Sequence, residues 1–338
     1  RKAARDPVAE MSVRIDYDAR GQRTRVRYGD HVTTAYAYDT LTHRLAQLTS
    51  SRAGDGTALQ ALTYAYDPVG NITRIRDGVH AAVVADQAIV DGISDNTYDS
   101  LDRLVRATGR EHLSLTKSGG SGAMPNTIVA GRDLNLNNLE QLRAYVETYS
   151  YDHAGNRVAL RHRGAQSWTQ SVTIAAASNR AESIDGAGNG APMLMHYDAH
   201  GNLRGWDASP DLQWTARDSL AAVDLVLRPE QPCDDREYYV YDSGGRRVRK
   251  VTETLKSSSE RGLLIEINET IYLGALDIRR SRREVRRYDG DGKLISVTNG
   301  VRTGERHSLY LMDDDRRVGV CHRWPAEANA KPTKAAQV

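Results

Sequence analysis

The sequence has 338 residues and a formal net charge of +2, from 46 basic and 44 acidic side chains. This balance argues against a protein built around a large nucleic-acid surface. No apolar run approaches the roughly 18 residues of a transmembrane helix, and Cys233 and Cys321 are too few for a disulfide framework. We therefore expect two free thiols, no nucleic-acid partner and no membrane insertion by this segment.

The first part of the chain predicts β-hairpins. Residues 13–17 and 23–28, then 32–38 and 44–49, then 62–66 and 71–76 form pairs of alternating apolar and polar stretches around turn residues. A loop is expected at 52–56. The apolar stretch 81–90 favours a strand over a short helix, and residues 98–112 read as one more hairpin unit.

The pattern fails from 116 to about 138, where Gly, Ser and Asn give a linker composition. One helical turn is expected within 139–146. Further loops are predicted at 175–192, 207–210, 229–235 and 257–262, with strands over 237–251, 263–273 and 285–297. We expect residues 1–10 to be disordered or linker, 11–323 to form one repeat region, and 324–338 to be a disordered tail. Because the chain opens on Arg1, we expect a piece of a longer polypeptide.

The clearest hairpin is the stretch 149–158, which reads Tyr-Ser-Tyr-Asp-His-Ala-Gly-Asn-Arg-Val. Tyr149 and Tyr151 are two residues apart, so they share one face of a strand. The short carboxylate of Asp152 can accept a hydrogen bond from the backbone of the turn. Gly155 stands where a type I turn with a G1 bulge needs a positive φ.

The same plan recurs along the chain, where eight Tyr-Asp pairs are found, most with turn residues at fixed offsets. Gly stands three residues after the Asp at Gly21, Gly70, Gly155, Gly201 and Gly245. A chain of such units is typical of a repeat protein, and its 17 Tyr with no Phe suit sheets that stay partly wet. We assign a structural role in the repeat to Tyr36, Tyr38, Asp39, Tyr64, Tyr66, Asp67, Gly70, Asn71, Tyr98, Asp99, Tyr149, Tyr151, Asp152, Gly155, Asn156, Tyr197, Asp198, Gly201, Asn202, Tyr239, Tyr241, Asp242 and Gly245.

No pattern predicts catalysis, a cofactor or a metal site. The acidic run 313–315 lacks the alternating ligands of a calcium loop, and the Gly-rich stretch 186–190 lacks the Lys-Ser/Thr of a phosphate loop. Ser219, Ser257 and Ser308 have no nucleophile-elbow context. The basic run 279–283 could touch an anionic partner, but we interpret it as a solvated strand face.

The repeated Tyr-x-Tyr-Asp…Gly-Asn unit resembles the YD, or Rhs, repeat. The stretches 33–45, 64–75 and 98–112, together with 271–274 and 311–314, are similar to the repeat region of bacterial insecticidal Tc-toxin B-components and their SpvB-type virulence relatives. The resemblance spans roughly residues 11–323. It departs at 28–31, where Tyr-Gly-Asp-His replaces a more favourable turn, and no self-cleaving region or toxin domain is found.

The resemblance implies an all-β fold, an array of antiparallel β-hairpins forming part of a spiralling hollow shell. It also implies a secreted or bacterial cell-surface, non-catalytic wall that encloses a toxic C-terminal polypeptide. Its partners would be the remaining shell, the toxin portion and other toxin-complex subunits. The alternative is a cell-surface adhesion or carbohydrate-binding YD-repeat module, although no clustered Trp–acid site supports sugar binding.

Overall fold

The structure, a computed structural model, describes residues 13–80, 82–85, 88–113, 138–186, 191–207, 211–259, 262–298, 300, 302–313 and 316–325. The expected linker at 118–122, the segment 1–10, the tail beyond Pro325, the Gly-rich residues 187–190 and the acidic residues 314–315 lie outside this part of the chain. Contacts divide the chain into two compact units, with the boundary between Leu194 and Met195.

The described residues form β-strands and one short 3₁₀ turn, Leu139–Gln141, within the stretch where a helical turn is predicted. No helix among them is long and apolar enough to cross a membrane. The strands are β1 (Val13–Tyr17), β2 (Arg23–Tyr28), β3 (Val32–Tyr38), β4 (Leu45–Arg52), β5 (Ala58–Tyr66), β6 (Ile72–Asp77), β7 (Val83–Ala85), β8 (Ala88–Val90), β9 (Ile93–Tyr98), β10 (Leu104–His112), β11 (Leu142–Tyr151), β12 (Arg157–Arg163), β13 (Trp168–Ile174), β14 (Ala181–Asp185), β15 (Met193–Tyr197), β16 (Leu203–Trp206), β17 (Leu212–Trp214), β18 (Leu220–Val226), β19 (Asp235–Tyr241), β20 (Arg247–Ser259), β21 (Gly262–Leu273), β22 (Leu276–Tyr288), β23 (Leu294–Thr298), β24 (Arg302–Asp313) and β25 (Arg316–Arg323).

Strands pair with their neighbours in chain order, and every described pairing is antiparallel. In the unit that ends at Leu194, β1–β6 and β9–β14 follow one another across a sheet, while β7 and β8 pair with each other. In the unit that begins at Met195, β15 pairs with β16, and β17–β22, β24 and β25 form a second sheet, with β23 also paired to β22. The predicted fold class, an array of antiparallel hairpins, is confirmed.

The two faces of the first sheet differ in character. Tyr36, Leu48 and Leu62 are opposite one another on successive strands and are half-buried. On the other face, Gln47 lies between Ala37 and Thr63, and all three are exposed. This alternation places apolar and polar side chains on opposite faces, as period-2 patterning requires. Since few side chains are fully buried, each hairpin depends on its neighbours for stability.

The second sheet has a small core centred on β21. Ile265 and Ile267 are 2% and 1% exposed, and Leu255 of β20 packs against them. Charged side chains flank this apolar column. Arg286 of β22 donates two 2.7 Å hydrogen bonds to Glu253 of β20. The long arginine side chain contributes apolar cover while its guanidinium is neutralised.

Several predicted loops and strands need correction. The loop predicted at 175–192 contains β14, where Ile184 pairs with Val172 of β13, because cross-strand partners outweigh the weak local preference of a stretch rich in Ala and Gly. The loop predicted at 257–262 is too long at both ends, since β20 continues to Ser259 and β21 begins at Gly262. The strand predicted over 237–251 is two strands, β19 and β20, and the one over 285–297 is divided between β22 and β23. The stretch 81–90, expected to be one strand, contains two short strands, β7 and β8.

Candidate functional site

The repeat residues meet at the hairpin turns, and the turn after β11 shows the geometry most clearly. The Asp152 N–H donates to the Asn156 carbonyl at 3.0 Å, and the Gly155 N–H donates to the Asp152 carbonyl at 3.2 Å. The Asn156 N–H donates to Asp152 Oδ1 at 2.8 Å. Gly155 has a φ of +90° and Gly70, in the matching turn after β5, has a φ of +117°, so the predicted positive φ is confirmed at both. A register shift beside Tyr151 marks the bulge.

The other turns repeat this geometry with substitutions. Gly21, Gly201 and Gly245 have φ values of +77°, +96° and +76°. Where the unit has no Gly, Asp102 takes the left-handed conformation with a φ of +58°, which Asp and Asn adopt more readily than other non-Gly residues.

Two turns escaped the sequence analysis. Gly292, three residues after Asp289, has a φ of +77°, and this spacing was present in the sequence but overlooked. The turn 215–219 places Asp218 at a φ of +56° after Trp214 and Thr215. A search for Tyr-Asp pairs could not find it, since Trp and Thr stand in their places.

In several units the second tyrosine joins its hairpin to the preceding one. The Tyr66 hydroxyl of β5 donates to the carbonyl of Leu45, the first residue of β4, at 2.8 Å. Trp214 Nε1 of β17 makes the equivalent bond to Leu203, the first residue of β16, at 2.7 Å. The same contact is made by Tyr38 to Arg23 at 2.9 Å, by Tyr98 to Ile72 at 3.0 Å and by Tyr151 to Leu104 at 2.8 Å. The sequence predicted a packing role for these rings and missed the hydrogen bond, which we call the tyrosine latch.

The first tyrosine of a unit has a different environment. The hydroxyls of Tyr149 and Tyr239 donate to Glu147 and Glu237, two residues earlier on the same strands, at 2.5 Å. Burial, followed by these hydrogen bonds, raises the pKa of both phenols. Tyr36 and Tyr64 lie opposite Leu48 and Ile75 in the first sheet. Two tyrosines of the second position, Tyr197 and Tyr241, lie opposite Leu203 and Arg247 beside their bulges.

Arginines at the ends of two turns reach the next unit. Arg44 donates to the carbonyls of Asp67 and Pro68 at 2.9 and 3.1 Å, and its guanidinium lies 5.6 Å from the centre of the Tyr66 ring. Arg103 lies 4.7 Å from the Tyr151 ring centre. These cation–π contacts come in addition to the tyrosine latch on the same rings.

The turn carboxylates are held in their ionised form. For Asp152, hydrogen bonds from the Asn156 side chain and then from turn backbone N–H groups lower the pKa despite some burial. For Asp99, the Arg103 backbone N–H is the main cause of a lowered pKa, with the Arg103 side chain adding to it. The turns are therefore organised around charged carboxylates.

Comparisons with known proteins agree with this geometry. No family model matches the chain. It is 31% identical over 275 residues to toxin subunit YenC2 of Yersinia entomophaga, a match that covers 78% of the chain and 27% of the relative. It resembles the solved structure of TcdB2-TccC3 without its hypervariable C-terminal region, with a TM-score of 0.71 and 27% identity over 96% of the chain and 14% of the solved one. The chain is a YD-repeat protein of the kind found in Tc toxin subunits.

A further match extends this result to an assembled toxin. The YD-repeat chain resembles part of the Photorhabdus luminescens Tc holotoxin pore, with a TM-score of 0.63, 26% identity and coverage of 89% of the chain and 13% of the solved one. It thus spans only about a quarter of the curated relative and less of the solved chains. The predicted resemblance to Tc toxins is confirmed, although the relatives, named YenC2 and TcdB2-TccC3, do not single out the B-component.

A dense cluster of titratable groups in the YD-repeat sheet is centred on His162, which is 7% exposed. Its Nδ1 lies 3.2 Å from Glu147 Oε1 and its Nε2 lies 3.3 Å from Glu111 Oε1. The ring stacks between Tyr145 and Trp168, with centroid separations of 5.4 and 5.1 Å. The imidazole therefore links four successive strands, β10 to β13, which gives it a structural role.

The basic run 279–283 lies on β22, where the side chains of Arg280, Arg282 and Arg283 stay 42–53% exposed, in line with a solvated strand face, and pair with neighbouring carboxylates. Arg280 Nε lies 3.0 Å from Glu305 of β24, and Arg283 lies 3.1 Å from Glu266 of β21. Nearby, Ser308 Oγ lies 2.9 Å from His322 Nδ1, but Ser308 is fully buried and out of reach of a substrate. Within the described residues, no group of three His, Cys, Asp or Glu could hold a metal ion.

Proposed function

We propose that this chain is a wall segment of a YD-repeat shell that encloses a toxic C-terminal polypeptide until delivery into a target cell. The observation that carries the proposal is the coverage of the matches. Nearly all of the chain superimposes on a small part of TcdB2-TccC3, 96% against 14%. A segment that corresponds to a fraction of a long repeat chain is expected to act as one portion of a larger body.

The local geometry suits a wall. Hairpins follow one another across a sheet and are bonded by strand pairing. Several are also joined to the preceding hairpin by a tyrosine latch, and two turns add an arginine. Such redundancy gives a continuous surface in which no single hairpin opens easily. Each repeated residue type has a structural role: Tyr donates the hydrogen bond of the latch, Asp accepts hydrogen bonds from the turn backbone, and Gly allows the positive φ of the turn.

Under this proposal the partners are the remaining shell, the toxin portion of the same or a partner chain, and other subunits of a toxin complex. The assembly would be secreted or carried at the bacterial surface. The segment would itself catalyse no reaction. In support, the relatives are named as toxin subunits and as parts of a Tc holotoxin pore.

Protection of the C-terminal portion from added protease tests the proposal. The full-length parent would be compared with a variant that lacks residues 13–323 and with the parent carrying Tyr64→Phe as a matched, wall-preserving control. We expect the C-terminal portion to resist protease in the parent and in the control but to be cleaved in the deletion variant. Intact protection and toxin delivery after the deletion would contradict the proposal. Tight binding of a defined glycan by the segment alone would favour the adhesion alternative.

A further inference from the structure

Eight hairpin turns between residues 18 and 219 fall into two classes that alternate, whereas the later turns 242–246 and 289–293, in which Arg or Lys follows the positive-φ Gly, belong to neither class. In the first class, which we call amide turns, a positive-φ Gly is followed by Asn or Gln. The amide turns are 18–22, 67–71, 152–156 and 198–202. In the second class, which we call acceptor turns, a residue other than Gly holds the position before the return strand. The acceptor turns are 39–44, 99–103, 175–180 and 215–219.

Each amide turn donates its side-chain amide to the acceptor turn that follows it. Asn71 Nδ2 donates to Asp102 Oδ1 at 2.9 Å, and Asn202 Nδ2 donates to Asp218 Oδ1 at 2.8 Å. The remaining two pairs are Gln22 Nε2 with the His43 carbonyl at 2.9 Å and Asn156 Nδ2 with Asn179 Oδ1 at 3.2 Å. The contact is therefore made in four of four amide turns.

The return contact runs from an acceptor turn to the next amide turn. Arg44 donates to the carbonyls of Asp67 and Pro68, and Arg103 lies 3.5 Å from the carbonyl of Asp152. At the first of these, a Cβ on Gly70 would come within 3.0 Å of Arg44 Nη2. Glycine in that amide turn thus leaves room for the guanidinium as well as allowing the positive φ.

From these contacts we infer that, over residues 18–219, the turn of each hairpin is an interaction surface for a hairpin of the opposite class. The structural repeat in this part of the chain is then a pair of hairpins, and the alternation specifies which hairpin stacks on which. Two amide turns in succession would place a donor amide beside a Gly, which lacks the side-chain acceptor that Asp102, Asn179 and Asp218 supply. Two acceptor turns in succession would, at the position of Gly70, place the Arg44 guanidinium against a Cβ. Strand pairing alone cannot give this selectivity, because backbone ladders are the same for every hairpin.

A turn exchange in the full chain tests the inference. The class-changing variant carries Pro68→Ser, Val69→Leu, Gly70→Asp and Asn71→Arg, which copies the turn 99–103. The class-preserving control carries Pro68→His and Val69→Ala, which copies the turn 152–156. Hydrogen exchange of peptides covering 39–44, 67–71 and 99–103 is the readout. We expect the control to match the parent and the class-changing variant to exchange at least fivefold faster in all three turns or to unfold. Equal behaviour of the two variants would overturn the inference.

A double-mutant cycle isolates one contact. Asp102→Gly removes the acceptor, Asn71→Ala removes the donor, and Asp102→Asn is the matched control, since Asn179 fills that position in another acceptor turn. In the parent background, Asp102→Gly should speed exchange in 99–103 about fivefold relative to Asp102→Asn, the change that one ordinary hydrogen bond gives. In the Asn71→Ala background this difference should vanish. A difference that persists unchanged would show that Asp102 acts independently of the preceding turn.

Discussion

The tyrosine latch predicts a stability change that can be worked out for one hydroxyl. Replacing Tyr66 by Phe keeps the ring, and with it most of the contact with Arg44, but removes the 2.8 Å hydrogen bond to the Leu45 carbonyl. A neutral hydrogen bond contributes about 1 kcal/mol, and an acceptor left unsatisfied in a partly buried position adds to the loss. We expect Tyr66→Phe to lower the free energy of unfolding by about 1–2 kcal/mol.

Urea unfolding followed by circular dichroism measures this loss. Tyr64→Phe is the matched control, because Tyr64 lies on the same strand and its hydroxyl has no hydrogen-bond partner among the described residues. The control should change stability by less than about 0.5 kcal/mol. If both substitutions cost the same, the latch hydrogen bond does not hold the hairpins together and the rings act only by packing.

Three further predictions concern the turns and the second sheet. Gly155→Val should lower the free energy of unfolding by about 1–2 kcal/mol, because it places a β-branched side chain at a φ of +90°. Asn156→Ala, measured alongside, gives the separate cost of losing the hydrogen bond from the Asn156 side chain to Asp152. No change for Gly155→Val would contradict the turn assignment. Because the folded-state pKa of Asp152 is lowered, its contribution to the free energy of unfolding should be present above the ordinary aspartate pKa of about 4 and lost as the pH falls through the lowered value. The Asp152→Asn variant should therefore lose less stability than the parent between neutral and acidic pH. An unchanged pH profile of stability would contradict this role of Asp152. Glu253→Gln should destabilise the second sheet by about 2 kcal/mol at neutral pH, since it leaves Arg286 partly unpaired. If urea unfolding shows no loss of stability, the hydrogen bond to Glu284 alone is enough to pair Arg286.

The turns could be predicted from the sequence because their chemistry is local. Asp152, Gly155 and Asn156 lie within five residues, and their carboxylate, missing side chain and amide determine the turn without reference to distant parts of the chain. The same holds for Gly292, which the spacing after Asp289 indicated. Strand-forming alternation around each turn is equally local, and it predicted the antiparallel fold.

The contacts between hairpins could not be predicted in the same way. The bond between the Tyr66 hydroxyl and Leu45 depends on how two hairpins lie side by side, which alternation within one strand does not determine. Likewise β14 forms because Ile184 finds Val172 across the sheet, although its own residues favour a loop. The turn after Trp214 was hidden because an indole N–H can replace a phenol as the donor.

Imaging of the full-length parent by electron cryomicroscopy tests the wall proposal most directly. We predict a closed hollow body in which residues 13–323 form a continuous part of the wall, with additional density for the C-terminal polypeptide inside. An open or extended particle, or one whose C-terminal polypeptide lies outside the repeat sheets, would contradict the proposal.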